Sequence, residues 1–353
     1  MRSEPKSERW SRWLWIAGSF TLGLGAVIWV VRQAGVDATL AVIARALPFL
    51  PCVVLLEACR IGTEALAARD LFGSLKASVP VSALVRAQLV GYSIGNVLPV
   101  GRMAAEASKA GILKSHATLP KTAAVAAVVQ ALHLIASAII LLPCVVAARS
   151  AQGSVALSFV ILGQCALLAA SGSTLLLLAY FAPLGSLAFV RFPKIGAALE
   201  QFRSALRQLP VFPASALGWL VLNRTLHVVL IGILLHAVGS RLSLASALVA
   251  QGVLLIGATA GDFVPGQIGA LEGAFTVFAW AMGTTPRNGL AVALLIHLVQ
   301  SLWVLGGFLA LGVGRARTTP ASRKSADVMP GASPLLQPPF AARLDGRSAF
   351  KAS

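Results

Sequence analysis

The sequence predicts an all-α polytopic membrane protein, with about six full spans and two broken re-entrant helical hairpins related as an inverted repeat. Three observations predict it. The first is composition: of 353 residues, 57% are apolar and 12% charged, and the mean hydropathy is +0.83. A soluble domain carries about 25% charged residues, so a soluble enzyme, a nucleic-acid-binding domain, a coiled coil and a disordered chain are excluded. The second is a series of apolar runs, each close to the about 20 residues that a bilayer core requires. The third is a pair of apolar runs broken by proline and glycine. Such breaks free backbone polar groups, and they persist at membrane depth only where protein or water satisfies those groups.

In chain order, full spans are expected at roughly 13–31, 47–67, 122–147, 155–182, 214–237 and 288–312. The N-terminus, 1–12, carries Arg2, Lys6, Arg9 and Arg12. The apolar run behind it is long enough to span and no convincing small-residue cleavage site follows, so it reads as a retained helix. The first hairpin runs from 81 to 98 into Asn96-Val97-Leu98-Pro99-Val100-Gly101, then into a polar helix, 102–115. The second runs from 244 to 262 into Asp262-Phe263-Val264-Pro265-Gly266, then into a helix, 268–283. Within 190–208, Phe192, Ile195, Leu199, Phe202 and Leu206 recur at helical spacing opposite Arg191, Lys194, Arg203 and Arg207. That segment reads as an amphipathic helix on the cytoplasmic surface. From 315 to 353 the chain is rich in Pro, Ser, Ala and Arg, and reads as a disordered basic cytoplasmic tail. The transmembrane domain is therefore 13–314, with repeat halves at about 81–147 and 244–312.

Charge sets the orientation. Lys and Arg number 29 against 12 Asp and Glu, a net charge of +17. With the N-terminus inside, only Arg32, Arg45, Arg149, Arg241 and Arg287 fall outside, and Arg60 and Arg224 lie within spans. The other basic residues all fall inside, so both termini are expected in the cytoplasm, in the inner membrane of a bacterium. The two hairpins then open from opposite sides. The sequence repeats at a constant offset of 166: Pro99 with Pro265, Glu106 with Glu272, Thr118 with Thr284, Pro120 with Pro286 and Lys121 with Arg287. Inverted repeats with broken helices place a transport site at the repeat interface.

Charged groups inside a membrane cost about 2.5–3.5 kcal/mol each on insertion scales, so each needs a reason. Four sets qualify. Asn96, Pro99, Arg102, Glu106 and Lys109 follow the first break; Arg102, Glu106 and Lys109 share one helical face. The helix start after Pro99 and the two cations would suit a phosphate headgroup. Asp262, Pro265 and Glu272 mark the second break, where Glu272 has no local cation and must pair elsewhere or take up a proton. Asn223, Arg224 and His227 lie in the fifth full span, and Arg224 is the natural partner for Glu106, Glu272 or a lipid phosphate. Glu57, Arg60 and Glu64 share a face of the second span and read as a structural ion pair. The alternatives are a salt-bridged hairpin for the first set, a hydrogen-bonded structural acid for the second and a purely structural ion pair for the third. His133, His236 and His297 are isolated and read as packing residues. Cys52, Cys59, Cys144 and Cys165 read as small buried hydrophobes. There is no HExxH. No catalytic residue, metal site or cofactor is expected, and the chain is not expected to be an enzyme.

The segment Gly91-Tyr92-Ser93-Ile94-Gly95-Asn96-Val97-Leu98-Pro99, with Glu106 after it, resembles the first signature of the lysylphosphatidylglycerol synthase transmembrane (flippase-like) family. Phe263 to Gly273 contains P-G-x-x-G-x-x-E-G and resembles the second. The Asn-x-Leu-Pro-Val wording is closest to the branch associated with hopanoid biosynthesis. The likeness covers about 10–315. It implies an integral membrane protein that handles lipids or moves them between leaflets. The full-length synthases add a soluble aminoacyl-transfer domain, which is not expected here. Ala104-Ala105 stand where the family has a glycine pair, and Gln130 and His133 where it has an arginine and an acid; Lys109 keeps the family's basic position.

The expected function is thus translocation of an amphiphilic lipid, anionic or hopanoid-type, with its headgroup between the hairpins. Arg102, Lys109 and Arg224 would hold the headgroup, and Glu106 and Glu272 would position those cations or carry protons. The expected partner is a membrane lipid. The alternative is a non-catalytic scaffold that docks lipid-biosynthesis enzymes through the amphipathic helix and the tail. Nucleic acid is not an expected partner, and the oligomeric state stays open.

Overall fold

The computed structural model describes residues 35–98, 101–150, 154–181, 193–210 and 212–316, together with Thr21, Gly25, Ile28 and Arg32. The expected N-terminus 1–12, most of the first span 13–31, Pro99 and the tail beyond 316 lie outside the described residues, as do the side chains of 101–103.

Among the described residues every regular element is helical. In chain order they are α1 (Val36–Ala46), α2 (Leu50–Leu71), α3 (Val81–Val97), α4 (Gly101–Leu113), α5 (Leu119–Ser150), α6 (Val155–Phe181), α7 (Pro193–Arg207), α8 (Ala214–Ala237), α9 (Leu244–Ala260), α10 (Ala270–Val277) and α11 (Pro286–Ala316). Five stretches are long and apolar enough to cross a membrane: Val36–Leu71, Leu119–Ser150, Val155–Phe181, Ala214–Ala237 and Pro286–Gly312. They coincide with the expected spans from 47–67 onward. The protein is a multi-pass, all-α membrane protein.

Two elements differ from expectation. The segment between the first two spans contains α1, which buries Thr39, Val42 and Ala46 at helical spacing and continues through a 3-10 turn at Leu47–Phe49 into α2. The amphipathic helix, Pro193–Arg207, falls within the expected 190–208, of which 190–192 lie outside the described residues. The helix expected at 268–283 is not continuous. A 3-10 turn at Pro265–Gln267 leads to α10, and a second 3-10 turn follows at Trp280–Met282. The cause is backbone: Gly266, Gln267 and Gly269, at φ of 63°, 58° and 88°, hold back the start of α10, and Gly283, at 70°, ends the second turn; a regular right-handed helix cannot contain that region.

Glycines set how closely the helices approach. A Cβ at Gly172 of α6 would lie 2.8 Å from the Ala131 carbonyl oxygen of α5. One at Gly307 of α11 would collide with the Leu89 carbonyl oxygen of α3. At that crossing the Ser93 hydroxyl donates to the Val304 carbonyl at 2.8 Å, and Arg86 Nε donates to the Ala310 carbonyl at 3.0 Å. α2 and α8 run antiparallel. Phe49 meets His236 at one end, Asn223 donates to the Arg60 carbonyl midway, and Trp219 donates to Asp70 at the other end.

The apolar core is divided along these helices. One cluster gathers Val53, Leu141, Ile161, Leu234 and Val253. The other gathers Leu71, Leu84, Val128, Leu206 and Leu220. On α2 the gap between clusters spans Glu57 to Glu64, and on α8 it holds Asn223, Arg224 and His227. The intramembrane charges occupy this gap.

Candidate functional site

Each charged residue of the gap sits where its helix is deepest. Arg60 lies ten residues into α2 and Arg224 ten residues into α8, roughly 15 Å from either start at 1.5 Å per residue. Arg60 pairs with Glu57 one turn back, and the Tyr92 hydroxyl of α3 lies within reach of the same carboxylate. Glu64 lies within electrostatic reach of Lys109, Arg60, Arg224 and Glu57. His227 is buried within reach of Arg60, Arg224 and His133. Lys109 Nζ donates to Glu106 Oε1 at 2.8 Å. Helices α2, α3, α4, α5 and α8 therefore contribute to one ionisable layer.

Local sequence explains the placement. Asn223 is wholly buried and donates to the Arg60 carbonyl at 2.8 Å and to Thr63 Oγ1 at 3.2 Å, which fixes α8 against α2 beside the ion pair. Lys109 reaches the layer because Gly91 leaves room for it. A Cβ at Gly91 would lie 2.9 Å from Lys109 Cγ and nearer still to Cε. Three buried atoms of the layer, Arg60 Nε, Asn223 Oδ1 and His227 Nδ1, have no hydrogen-bond partner. A cavity of about 20 Å³ lies beside Gln88, Glu106 and Lys109. That is room for one water and far less than a lipid headgroup needs.

The second hairpin is organised around Glu272, which is 1% exposed. Its Oε2 accepts from the Gly269 backbone N–H at 2.8 Å, the hydrogen bond of an acid at the third helical position to its N-cap. Its Oε1 lies 2.8 Å from His297 Nδ1 of α11. The far nitrogen of that ring, Nε2, is buried without a partner. The hairpin tips meet: a Cβ at Gly266 would lie 3.7 Å from the Asn96 carbonyl oxygen.

Several expectations are corrected. His297 is not an isolated packing residue: it is the partner that Glu272 lacked in its own hairpin. His133 is likewise within reach of His227. Arg60 pairs with Glu57 as expected, and Glu64 also lies within electrostatic reach of Lys109 on α4 and Arg224 on α8. Glu106 takes its bond from Lys109 and Glu272 from His297. Asp262 and Phe263 are exposed, apart from buried Glu272 and Pro265. Asn96 is half-buried and its amide donates back to the Tyr92 carbonyl at 2.8 Å. Arg102 lies in the first turn of α4. Cys144 and Cys165 are buried but Cys52 and Cys59 are exposed, on the outer face of α2. Among the described residues, no group of three or more His, Cys, Asp or Glu is placed to hold a metal ion.

The family model for the lysylphosphatidylglycerol synthase TM region matches residues 15–307. The chain belongs to this family. The lysylphosphatidylglycerol synthase transmembrane family is a membrane domain associated with lipid handling, and both signature segments fall inside the match. No curated protein and no solved structure matches the chain. Within this family member, the first signature supplies Gly91 and Tyr92 to the ionisable layer, and the second supplies the Gly269–Glu272 cap. Tyr92 and His297 are the site residues that sequence reasoning missed. Tyr92 lay inside the signature without an assigned role, and nothing in the spacing of His297 pointed to Glu272.

Proposed function

We propose that this chain moves an amphiphilic lipid between leaflets, with the headgroup crossing at the ionisable layer while the tails stay in hydrocarbon. The observation that carries this reading is the layer itself, drawn from five helices between two apolar clusters, with orphaned polar atoms and the tips of two broken hairpins in contact. A fold that needed only stability would fill that gap with apolar residues, since replacing a buried ion pair by packed hydrophobes is often neutral or stabilising. Lys109, Arg60 and Arg224, with Arg102 at the α4 start, would hold an anionic headgroup; Glu106, Glu64 and Glu272 would balance those charges between conformations. A hopanoid-type amphiphile is the other cargo class. No covalent chemistry or cofactor enters this mechanism. The setting is the bacterial inner membrane, with both termini cytoplasmic.

The test is leaflet-resolved lipid composition in a deletion strain, complemented by wild type, Glu106→Gln or Glu272→Gln at equal membrane levels. One lipid class should accumulate in the wrong leaflet, and only wild type should restore it. Full complementation by both variants would sink the mechanism. The scaffold reading rests on the polar face of α7, where Glu200, Gln201, Ser204 and Arg207 are exposed. It requires that removing the tail abolish function with lipid distribution unchanged in the point variants.

A further inference from the structure

A second lipid-facing feature lies apart from the ionisable layer. Helices α5 and α6 are in backbone contact at Gly172 and Ala131. Past that contact, toward the end of α6, a cleft of about 240 Å³ opens, with α7 forming its third wall. Its lining is apolar, with Leu175 and Leu178 from α6 and Leu199 and Phe202 from α7, except for Gln130 of α5 and Arg203 of α7. Leu175 and Leu178 are 42% and 48% exposed, so the cleft opens onto the lipid-facing surface of α6.

Two facts make this more than an irregular surface. First, α7 is held in place independently of anything in the cleft. Leu206 and Leu209 are buried in the core, and Tyr180 at the end of α6 donates to the Pro210 carbonyl just after α7. Second, neither polar group of the lining is used by the protein. Neither Arg203 nor Gln130 makes a hydrogen bond or ion pair among the described residues. Water would find two polar partners in an otherwise apolar cleft, which is a poor site for it. An acyl chain would match the leucine and phenylalanine walls. A guanidinium on an amphipathic interfacial helix matches a phosphate through paired N–H donors.

We propose that this cleft is a binding site for one anionic phospholipid, with an acyl chain between α6 and α7 and its phosphate on Arg203. The Gln130 amide, deeper in the cleft, suits the ester carbonyls of the glycerol backbone. The site does not depend on the transport reading and is read out by binding alone.

The test uses the whole protein in nanodiscs of equal parts phosphatidylglycerol and phosphatidylcholine. The lipid retained after detergent exchange is counted by native mass spectrometry. Wild type should retain phosphatidylglycerol over phosphatidylcholine. Arg203→Gln should lower that preference roughly tenfold, the worth of one hydrogen bond to a charged group. Leu178→Trp fills the cleft and should lower retention of both lipids. Arg207→Gln, one turn further along α7 and outside the cleft lining, should change neither. The proposal is overturned if Arg203→Gln retains lipid as wild type does, or if Arg207→Gln lowers the preference equally, which would mean general surface charge. Normal lipid distribution in cells carrying Arg203→Gln would leave the site standing, since retention decides it.

Discussion

At the scale of single residues, the two signature glutamates are held by different means. Glu106 is bonded by a lysine one turn along its own helix, and that lysine depends on a glycine across the hairpin. Gly91→Ala is expected to push the Lys109 chain aside and to destabilise by about 1–3 kcal/mol, the usual cost of overpacking. Adding Lys109→Ala should recover the thermal midpoint but not lipid transport, which separates packing from charge. Glu272 is bonded by a histidine on another helix. His297→Leu leaves one oxygen of a buried carboxylate without its partner, at a cost of about 1–3 kcal/mol. Combining it with Glu272→Leu should return part of that stability, because the carboxylate is no longer buried without its imidazole, while the Gly269 N–H loses its acceptor. A double-mutant cycle on the thermal midpoint reads this directly, and additive losses would show that the bond contributes nothing.

At the scale of elements, close approach decides which helices stay together. The crossing of α3 and α11 is built on Gly307, where a Cβ would meet Ser93 and the Leu89 carbonyl. Gly307→Ala is expected to separate the two helices, weaken the Ser93 and Arg86 bonds to α11, and destabilise by about 1–3 kcal/mol. Gly312→Ala, later on the same helix with nothing within 4 Å, should be neutral. Thermal unfolding of both variants in one detergent checks the contrast. The second hairpin follows from backbone conformation instead. Gly266 and Gly269 take up positive φ on either side of Gln267 and Ile268. That turn delivers Glu272 to the first turn of α10, where it can close on the Gly269 N–H.

At the scale of the whole molecule, two apolar clusters and the polar layer between them are the organising feature. Charged groups survive there because several helices share them, so the cost of each is offset by partners it does not have in its own helix. The distribution of basic residues predicts sidedness, and labelling tests it. In a cysteine-free background, Ser78→Cys, after α2, should react with an impermeant maleimide only from the cytoplasmic side. Ser150→Cys, at the end of α5, should react only from the opposite side. The reverse labelling would invert the topology and exchange the leaflets that the two hairpins address.

The sequence by itself determined the class of protein, five of the spans and the two breaks, because length and apolarity are local quantities that the bilayer reads directly. It also determined the family, since both signatures are contiguous. It marked nearly every charge that matters, because an ionisable residue in an apolar run stands out by composition alone. Only the tertiary structure decided which charges meet. Glu64 reaches Lys109 and Arg224 across three helices, and Glu272 reaches His297 across 25 residues, at separations that no helical spacing encodes. It likewise decided that the helix after Pro265 starts only at Ala270, since positive φ at Gly266, Gln267 and Gly269 outweighs an apolar pattern that favours helix. Pairing inside a membrane is set by which helices touch, and small residues such as Gly91, Gly172 and Gly307 show where touching is allowed only once their neighbours are known.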